Sequence, residues 1–276
     1  MNLIRTPLLL LLALVLTPLA AMGQTTGKGI LLEDLTWIEA EKILTAETIV
    51  VIPLGAESKE HGPHLKLKND WLMAEYLKHE VLARANVVIA PTINYHYFPA
   101  FLEYPGSTSL RLETARDMTV DICRSLARFG PRRFYVLNTG VSTLRALRPA
   151  AAILAAEGIL LQFTDLLAIL GPIEKAVGQQ KGGTHADEIE TSMMLYLAPS
   201  TVDMTKADDD YHPGNGPLTR NPAGPGVYSA TGIYGNAKLA TKEKGERITK
   251  ALVEGILAEI ENLRRTPTAQ PTPAKG

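Results

Sequence analysis

The chain has 276 residues, of which 46% are hydrophobic and 21% charged, a composition that excludes a disordered or collagen-like protein and fits one or at most two domains. Its 28 Lys and Arg residues balance 29 Asp and Glu residues, so no global positive field attracts nucleic acid or an anionic membrane. Only 6% of the residues are aromatic, which also argues against stacking platforms for single strands. We therefore expect a globular protein that does not bind nucleic acid.

The first 23 residues have the pattern of a secretory signal peptide. Arg5 supplies a positive charge, an apolar run follows at residues 8–16, and the small residues Ala20, Ala21 and Gly23 offer a cleavage site. A retained membrane anchor is the alternative, but it needs about 20 apolar residues, and Pro7 and Pro18 bracket a shorter stretch. We expect cleavage, a periplasmic or secreted mature protein, and no membrane contact after cleavage.

Short apolar, β-branched runs alternate with amphipathic stretches along the rest of the chain. The runs have the composition of strands buried on both faces, and the stretches have apolar residues at helical spacing. The predicted strands are Thr48–Leu54, Asn86–Ile93, Arg133–Leu137 and Gly158–Thr164. The predicted helices are Trp71–Ala85, Leu112–Phe129, Thr143–Glu157, Asp187–Leu197 and Lys242–Leu263. This alternation is typical of βαβ units, so we predict an α/β fold, a three-layer sandwich with a mainly parallel central sheet.

We expect one α/β domain over residues 24–264. Within it, residues 208–226 open with three aspartates and are rich in Gly, Pro and Asn, which predicts a long loop that serves as a lid or a subunit contact. Residues 265–276 have no large apolar side chain and are predicted to be a disordered tail. The single cysteine, Cys123, cannot form an internal disulfide and is predicted to be a core residue.

A polar constellation follows the first predicted strand. Ligands bind at the carboxyl ends of the strands in open parallel sheets, and histidine and carboxylate are ligand types that Zn²⁺ and Mn²⁺ accept. The alternative is a solvated polar loop, and spacing alone favours neither. The constellation consists of Glu57, Glu60, His61, His64 and Asp70.

A second cluster opens the predicted helix Asp187–Leu197. His185 and Glu188 are three residues apart, a spacing that puts two helical residues on one face. Carboxylates at a helix start also favour the helix dipole, and for this cluster alone that structural role is the better explanation. Together, however, the two clusters supply three histidines and several acids at two loop-to-helix junctions, which favours a metal site.

Several motifs, in this order, resemble the creatininase (creatinine amidohydrolase) family. They are HGPHL at His61–Leu65 with an aspartate nine residues after the first histidine, YPGST at Tyr104–Thr108, and HADEIETSMML at His185–Leu195. The stretch Gly232–Ile248 is similar to the family's closing segment, and the resemblance spans about residues 36–263. It implies a three-layer α/β fold, a homo-oligomer that is often a hexamer, and a binuclear metal centre that opens C–N bonds of cyclic amides or related small molecules.

The resemblance also implies roles for individual residues. His61 and Asp70 match metal ligands, and Glu188 matches the acidic residue that completes the coordination of that metal. His185 matches the histidine that acts in proton transfer, and Glu190 is the second catalytic candidate. The expected cofactor is Zn or Mn.

The family's first glutamate ligand falls on Lys59, because this chain has one extra residue between Pro53 and His61. Glu60 or Glu57 must then substitute for it. Glu60 is the expected ligand because it is nearest in sequence.

The segment Asn138–Thr143 departs from the family pattern. Aligning its asparagine places Gly140 where the family has a histidine that holds the second metal, so we expect one or two metal ions per chain and a centre that is altered or mononuclear. A single ion with an open position still activates water. The residues expected to bind polar atoms of a substrate are His64, His96, Asn138 and Ser142, and the alternative role for the last two is to form a turn after the strand.

The expected function is a metal-dependent hydrolase of a C–N bond in a small amide or cyclic amide. The alternative is a protein of the same fold that binds a small molecule or forms a structural oligomer without turnover, and Gly140 motivates it. A C–N lyase or deformylase-like activity would share the same metal site. Metal analysis separates the first two functions, because only the hydrolase needs bound zinc or manganese.

Overall fold

The structure, a computed structural model, describes residues 28–268. The predicted signal peptide, residues 1–23, lies outside the described residues, and so do residues 269–276 of the predicted tail. Within the described range, every helix is too short or too polar to cross a bilayer.

The central sheet has five parallel strands in the order β1-β3-β2-β4-β5. The two central strands, β2 and β4, pair along their whole length, from Ile49 opposite Arg133 to Leu54 opposite Asn138. Their carboxyl ends therefore reach the same edge of the sheet. The strands are β1 (Ile30–Leu31), β2 (Ile49–Leu54), β3 (Val88–Ile89), β4 (Arg133–Asn138) and β5 (Leu160–Phe163).

Helices cover both faces of this sheet. Helices α2, α5, α6 and α7 share one buried apolar cluster with the sheet, and α1, α3 and α4 share the other. These three layers confirm the predicted α/β sandwich with its parallel sheet. The helices are α1 (Trp37–Ile43), α2 (Asn69–Arg84), α3 (Leu112–Ala127), α4 (Leu144–Ala155), α5 (Leu166–Val177), α6 (Glu188–Leu197) and α7 (Lys242–Arg265).

Successive residues of β2 point to opposite faces, as the twofold period of a strand requires. Val50 and Ile52 pack with α3 and α4, whereas Ile49 and Val51 pack with α2 and α7. Cys123 lies fully buried in the cluster with α3 and α4. Burial raises the pKa of its thiol to about 12, as expected for a core cysteine with no base beside it.

The structure differs from the predicted elements in several places, and two short elements, β1 and α1, were not predicted at all. The predicted strand Asn86–Ile93 is reduced to two residues, because Pro91 has no N–H to donate to β2, although Ile93 still donates its N–H to Pro53. Helix α5 was not predicted, because it contains Gly171 and Pro172 and is apolar around most of its surface. Helix α7 runs to Arg265, one residue into the predicted tail.

The predicted loop 208–226 carries a short parallel pair, β6 (Leu218–Thr219) and β7 (Val227–Tyr228), the second just after it. Leu218 and Val227 pack against Phe101 and Tyr104. The carboxylate of Asp210 accepts hydrogen bonds from the hydroxyls of Ser229 and Thr231 at 2.8 and 2.6 Å. These contacts attach the loop to the wall of the cavity described next.

Candidate metal centre

The loop after β2 carries His61 into the protein interior, where it is 1% exposed. Its Nδ1 lies 2.9 Å from the carbonyl oxygen of Lys59, and its Nε2 lies 2.7 Å from Oδ1 of Asp70, which begins α2. Burial lowers the pKa of His61, but the charges of Asp70 and Glu190 and the hydrogen bond to Asp70 together outweigh burial and raise the pKa to about 9. The carbonyl of Lys59 thus fixes the orientation of this ring through Nδ1, as a partner on the other nitrogen does for a metal-binding histidine, and Nε2 faces Asp70.

Helix α6 brings the second cluster to the same place. Asp187 caps the helix by accepting hydrogen bonds from the N–H groups of Ile189 and Glu190, each at 3.0 Å. The preceding residue, Ala186, has a left-handed backbone with φ of +48° and donates its N–H to Oε2 of Glu190 at 2.7 Å. This turn points His185 and Glu190 toward His61.

His61, His185 and Glu190 form a compact group of donors. One ligand atom of each lies within 4.8 Å of the others, and no further group of three His, Cys, Asp or Glu side chains is found among residues 28–268. Nε2 of His61 is 3.4 Å from one carboxylate oxygen of Glu190, and Nδ1 of His185 is 3.8 Å from the other. Two imidazoles and a carboxylate are a known catalytic zinc set, so these residues fit one Zn²⁺ or Mn²⁺ ion.

Glu60 contacts this group through His185. Its Oε1 lies 2.8 Å from Nε2 of His185, and its Oε2 accepts the N–H of Gly62 at 2.8 Å. Burial raises the pKa of Glu60, but the attraction of His185 and His61 and the hydrogen bonds from His185 and Gly62 together outweigh burial and lower it. A side chain at Gly232, where φ is +85°, would collide with this carboxylate. Glu57 is exposed and binds Asn94, so of the two glutamates considered above only Glu60 reaches the centre.

Glu188 does not contribute to the centre, which corrects its predicted role as a metal ligand. Its Oε1 is paired with the ammonium of Lys244 at 2.5 Å, and its Oε2 accepts the N–H groups of Gln179 and Gln180. The spacing argument failed because α6 begins at Glu188, so His185 precedes the helix and is not on its face. Glu190, predicted to be catalytic, takes the place beside His61 instead.

The predicted substrate-binding residues divide into one that lines the cavity and three that do not. Ser142 lines it, and its hydroxyl donates to the carbonyl of Tyr97 at 3.0 Å. Asn138 is buried and holds the turn after β4 through the backbone of Gly140. Nε2 of His64 and Nε2 of His96 bind threonine hydroxyls on α6 and α3 at 2.8 and 3.2 Å. We therefore correct the predicted substrate contacts of His64, His96 and Asn138 to structural roles.

A cavity of about 320 Å³ opens onto the centre. The ends of β2 and β4, the starts of α5 and α6, and the loop 208–226 enclose it, and its walls are largely apolar. Burial strongly favours the uncharged forms of His64 and His96 behind these walls and lowers the pKa of each to about 4. Polar groups in the lining include Lys59, Ser142, His185 and Glu190.

Lys59 is a residue of this site that sequence reasoning did not select. It is 5% exposed, lines the cavity, and places its Nζ 2.7 Å from Oδ2 of Asp70. One indication of its role was present in the sequence. Lys59 stands between Glu57 and Glu60, at the position where the family has a glutamate ligand. A lysine is rarely buried without a partner, and the sequence did not identify Asp70 as that partner.

Comparison with known proteins agrees with this architecture. The family model described as "Creatininase: Creatinine amidohydrolase" matches residues 33–260. The creatinine amidohydrolase of Pseudomonas putida is 29% identical over 254 residues, which cover 85% of this chain and 97% of that protein. The mycofactocin precursor peptide peptidase of Mycobacterium tuberculosis is 28% identical over 227 residues, which cover 76% of this chain and 84% of that protein.

The solved structures that resemble this one include creatinine amidohydrolase (creatininase), with a TM-score of 0.72, 26% identity, and coverage of 86% of this chain and 99% of that chain. A creatininase described with Mn and a mutant creatininase described as Zn-Zn type each give a TM-score of 0.71 at 26% identity. The first covers 86% of this chain and 100% of its own, and the second 86% and 99%. Fold, motif order and family match agree, and this chain belongs to the creatininase family.

Proposed function

We propose that this chain is a metal-dependent hydrolase that cleaves a C–N bond in a small amide or cyclic amide. The observation that carries the proposal is the donor group of His61, His185 and Glu190, which fits a divalent cation and of which His185 and Glu190 line the cavity. Relatives in the family support the reaction class, since one is named as an amidohydrolase and another as a peptidase.

When bound, a zinc or manganese ion supplies Lewis acidity and lowers the pKa of water. His61 must lose a proton from Nε2 to become a ligand, and the carbonyl of Lys59 retains the proton on Nδ1. Glu60 holds Nε2 of His185, so Nδ1 of that ring faces Glu190. The hydroxyl oxygen of Ser142 has free lone pairs at the cavity wall and can accept an N–H of the substrate.

The size of the cavity supports a small substrate. Its volume of about 320 Å³ is at the lower end of the range for ligand sites. Apolar walls with a few polar groups suit a compact ring or a short acyl chain, and creatinine, the substrate named for one relative, belongs to this size class. The peptidase relative acts on a peptide precursor, so a peptide bond near a chain end is the second substrate type to test.

The test combines metal analysis with turnover in the purified protein. Bound zinc and manganese are measured by mass spectrometry, and hydrolysis is assayed on creatinine, other cyclic amides and short peptides. We expect His61→Ala and Glu190→Gln to lose both metal and activity. His79→Ala is the matched control, because His79 is exposed on α2 and should leave both unchanged.

A protein that binds a small molecule without turnover is the second candidate function. Gly140 and Lys59 favour it, since the first has no side chain to offer a second metal and the second places a positive charge beside Asp70. Tight ligand binding with no metal and no hydrolysis across the substrate panel would support this candidate and contradict the hydrolase.

We also propose that the mature protein is exported and forms a homo-oligomer, by family analogy a hexamer. Export rests on the leader pattern in residues 1–23. Cell fractionation that finds the uncleaved chain in the membrane would contradict export. Light scattering of the purified protein measures its oligomeric state, and a monomer at micromolar concentration would contradict assembly.

A further inference from the structure

The ammonium of Lys59 lies where a buried acidic centre would otherwise require an added cation. Its Nζ is 2.7 Å from Oδ2 of Asp70, and it lies 4.7 Å from the centre of the Phe101 ring and 5.8 Å from that of Phe98. Two aromatic faces and a carboxylate enclose it, and all three attract a positive charge. Because the side chain is only 5% exposed, water contributes little to this environment.

Both oxygens of Asp70 are already in contact with positive or hydrogen-donating groups of the chain. Oδ1 lies 2.7 Å from Nε2 of His61, and Oδ2 lies at the same distance from Lys59. A divalent ion on Oδ2 would therefore have to displace the ammonium, since two cations on one oxygen repel each other.

The turn after β4 offers no histidine, cysteine or carboxylate to a second ion. Gly140 has no side chain, and the hydroxyl of Ser142 donates to Tyr97. The hydroxyl of Thr139 lies 3.0 Å from the carbonyl of Leu54 and 3.3 Å from that of Asp70. Among residues 28–268, the only group of three metal-binding side chains is therefore the one on the other side of Asp70.

We propose that Lys59 is the second cation of this centre, so that the chain binds one divalent ion where a Zn-Zn centre would bind two. The inference rests on the proposed function for the His61, His185 and Glu190 group, and it concerns only the position at Oδ2 of Asp70. There the ammonium neutralises the carboxylate permanently, without a metal. A similar solved structure is described as Zn-Zn type, so the two proteins differ in how this charge is supplied.

The test counts zinc bound to the full chain in the wild type and three variants, by calorimetric titration and mass spectrometry. Lys59→Glu replaces the ammonium with a ligand, and we expect it to bind one equivalent of zinc more than the wild type. Lys66→Glu makes the same charge change at an exposed position of the same loop and should match the wild type. Equal stoichiometry in Lys59→Glu and the wild type would overturn the proposal, as would a wild type that already binds two ions.

Lys59→Met serves if the glutamate variant does not fold, because it removes the charge and retains the length of the side chain. We expect zinc to raise its unfolding temperature by more than it raises that of the wild type, since Oδ2 of Asp70 is then free for an ion. Equal increases would contradict the role of Lys59.

The same measurements separate this inference from the proposed function. If the wild type binds no zinc and Lys59→Glu binds one ion, the proposed hydrolytic metal is contradicted and the role of Lys59 is supported. If both proteins bind two ions, the proposed hydrolytic metal is supported and the role of Lys59 is contradicted.

Discussion

Two buried lysine–carboxylate pairs in this protein look alike but have different surroundings. Lys244 lies 2.5 Å from Glu188 between α6 and α7, and Lys59 lies 2.7 Å from Asp70 beside the cavity. Both carboxylates have essentially no solvent exposure. A buried pair of this kind gains Coulomb energy but loses hydration, so its existence alone does not reveal what it does.

The remaining partners distinguish the two pairs. Glu188 also accepts two backbone N–H groups, and the ammonium of Lys244 also donates to the side chain of Gln179 and the carbonyl of Leu239, each at 2.8 Å. Every strong group there has a partner within the fold. Lys59, in contrast, faces the cavity. A saturated pair is structural, whereas a pair at a cavity wall is open to a ligand.

The largest expected effect comes from breaking the saturated pair. Glu188→Ala leaves the Lys244 ammonium and two N–H groups without their acceptor and should lower the free energy of unfolding by about 3–5 kcal/mol. Chemical denaturation measures this loss. A double variant, Glu188→Met with Lys244→Met, should recover part of the stability because neither charge is then left unpaired, although the N–H groups of Gln179 and Gln180 still lack their acceptor. A loss below about 1 kcal/mol, the scale of a surface pair, would contradict the structural role.

Two matched amide substitutions compare the two lysine–carboxylate pairs by their effect on zinc affinity. Asp70→Asn removes the negative charge that faces Nε2, the expected ligand atom of His61, and should weaken zinc binding by about 10–100-fold, the usual cost of losing a carboxylate that supports a metal site. Glu188→Gln makes the same change in the structural pair and should leave zinc affinity unchanged. Calorimetric titration of both variants checks the contrast, and the opposite ranking would return Glu188 to the metal centre.

Gly232 tests the contact between Glu60 and the centre. A methyl group there would collide with the Glu60 carboxylate, and φ of +85° disfavours any L side chain. We expect Gly232→Ala to lower the free energy of unfolding by about 1–3 kcal/mol. Gly171→Ala is the control, since its added Cβ meets no group within 4 Å outside its chain neighbours and the helix backbone. The gain of about 0.5–1 kcal/mol from replacing a helical glycine is opposed by contact with the following Pro172, so the net change should be small. Similar thermal shifts in both variants would contradict the crowding at Glu60.

The smallest expected effect is a change in how the free energy of unfolding depends on pH. Burial lowers the pKa of His96 in the folded protein to about 4, below the 6.5 of an exposed histidine. As the pH falls below 6.5, the unfolded chain takes up a proton that the folded one does not, so stability is lost with falling pH until about pH 4. His96 alone should cost about 1 kcal/mol between pH 7 and pH 5.5. His96→Leu should reduce this slope in denaturation curves, and an unchanged slope would mean that His96 is accessible to protons.

Much of the fold could be predicted from sequence, because a strand buried on both faces needs a continuous β-branched run. Ile49–Leu54 is such a run, and it fixed the place of β2 within one residue of the prediction. Helix α5 could not be found in this way, since a central glycine and proline are typical of a helix end. Tertiary packing against α7 overrides that local preference.

The site could be predicted only in part, because spacing rules assume regular backbone. His61 and Asp70 were identified from their residue types, and the structure brings them into contact. Glu188 and Glu190 could not be distinguished, since their roles depend on the left-handed turn at Ala186, where helical periodicity does not apply. The pairing of Lys59 with Asp70 spans an irregular loop, which no period encodes.

The reactivity of Cys123 toward an alkylating reagent can be used to measure opening of the core. It is the only thiol of the chain, it is fully buried, and burial raises its pKa to about 12, so the folded protein should resist alkylation. Modification then proceeds only through molecules in which the layer of α3 and α4 has separated from the sheet. The alkylation rate under native conditions therefore reports how often this layer opens, and no added label is needed.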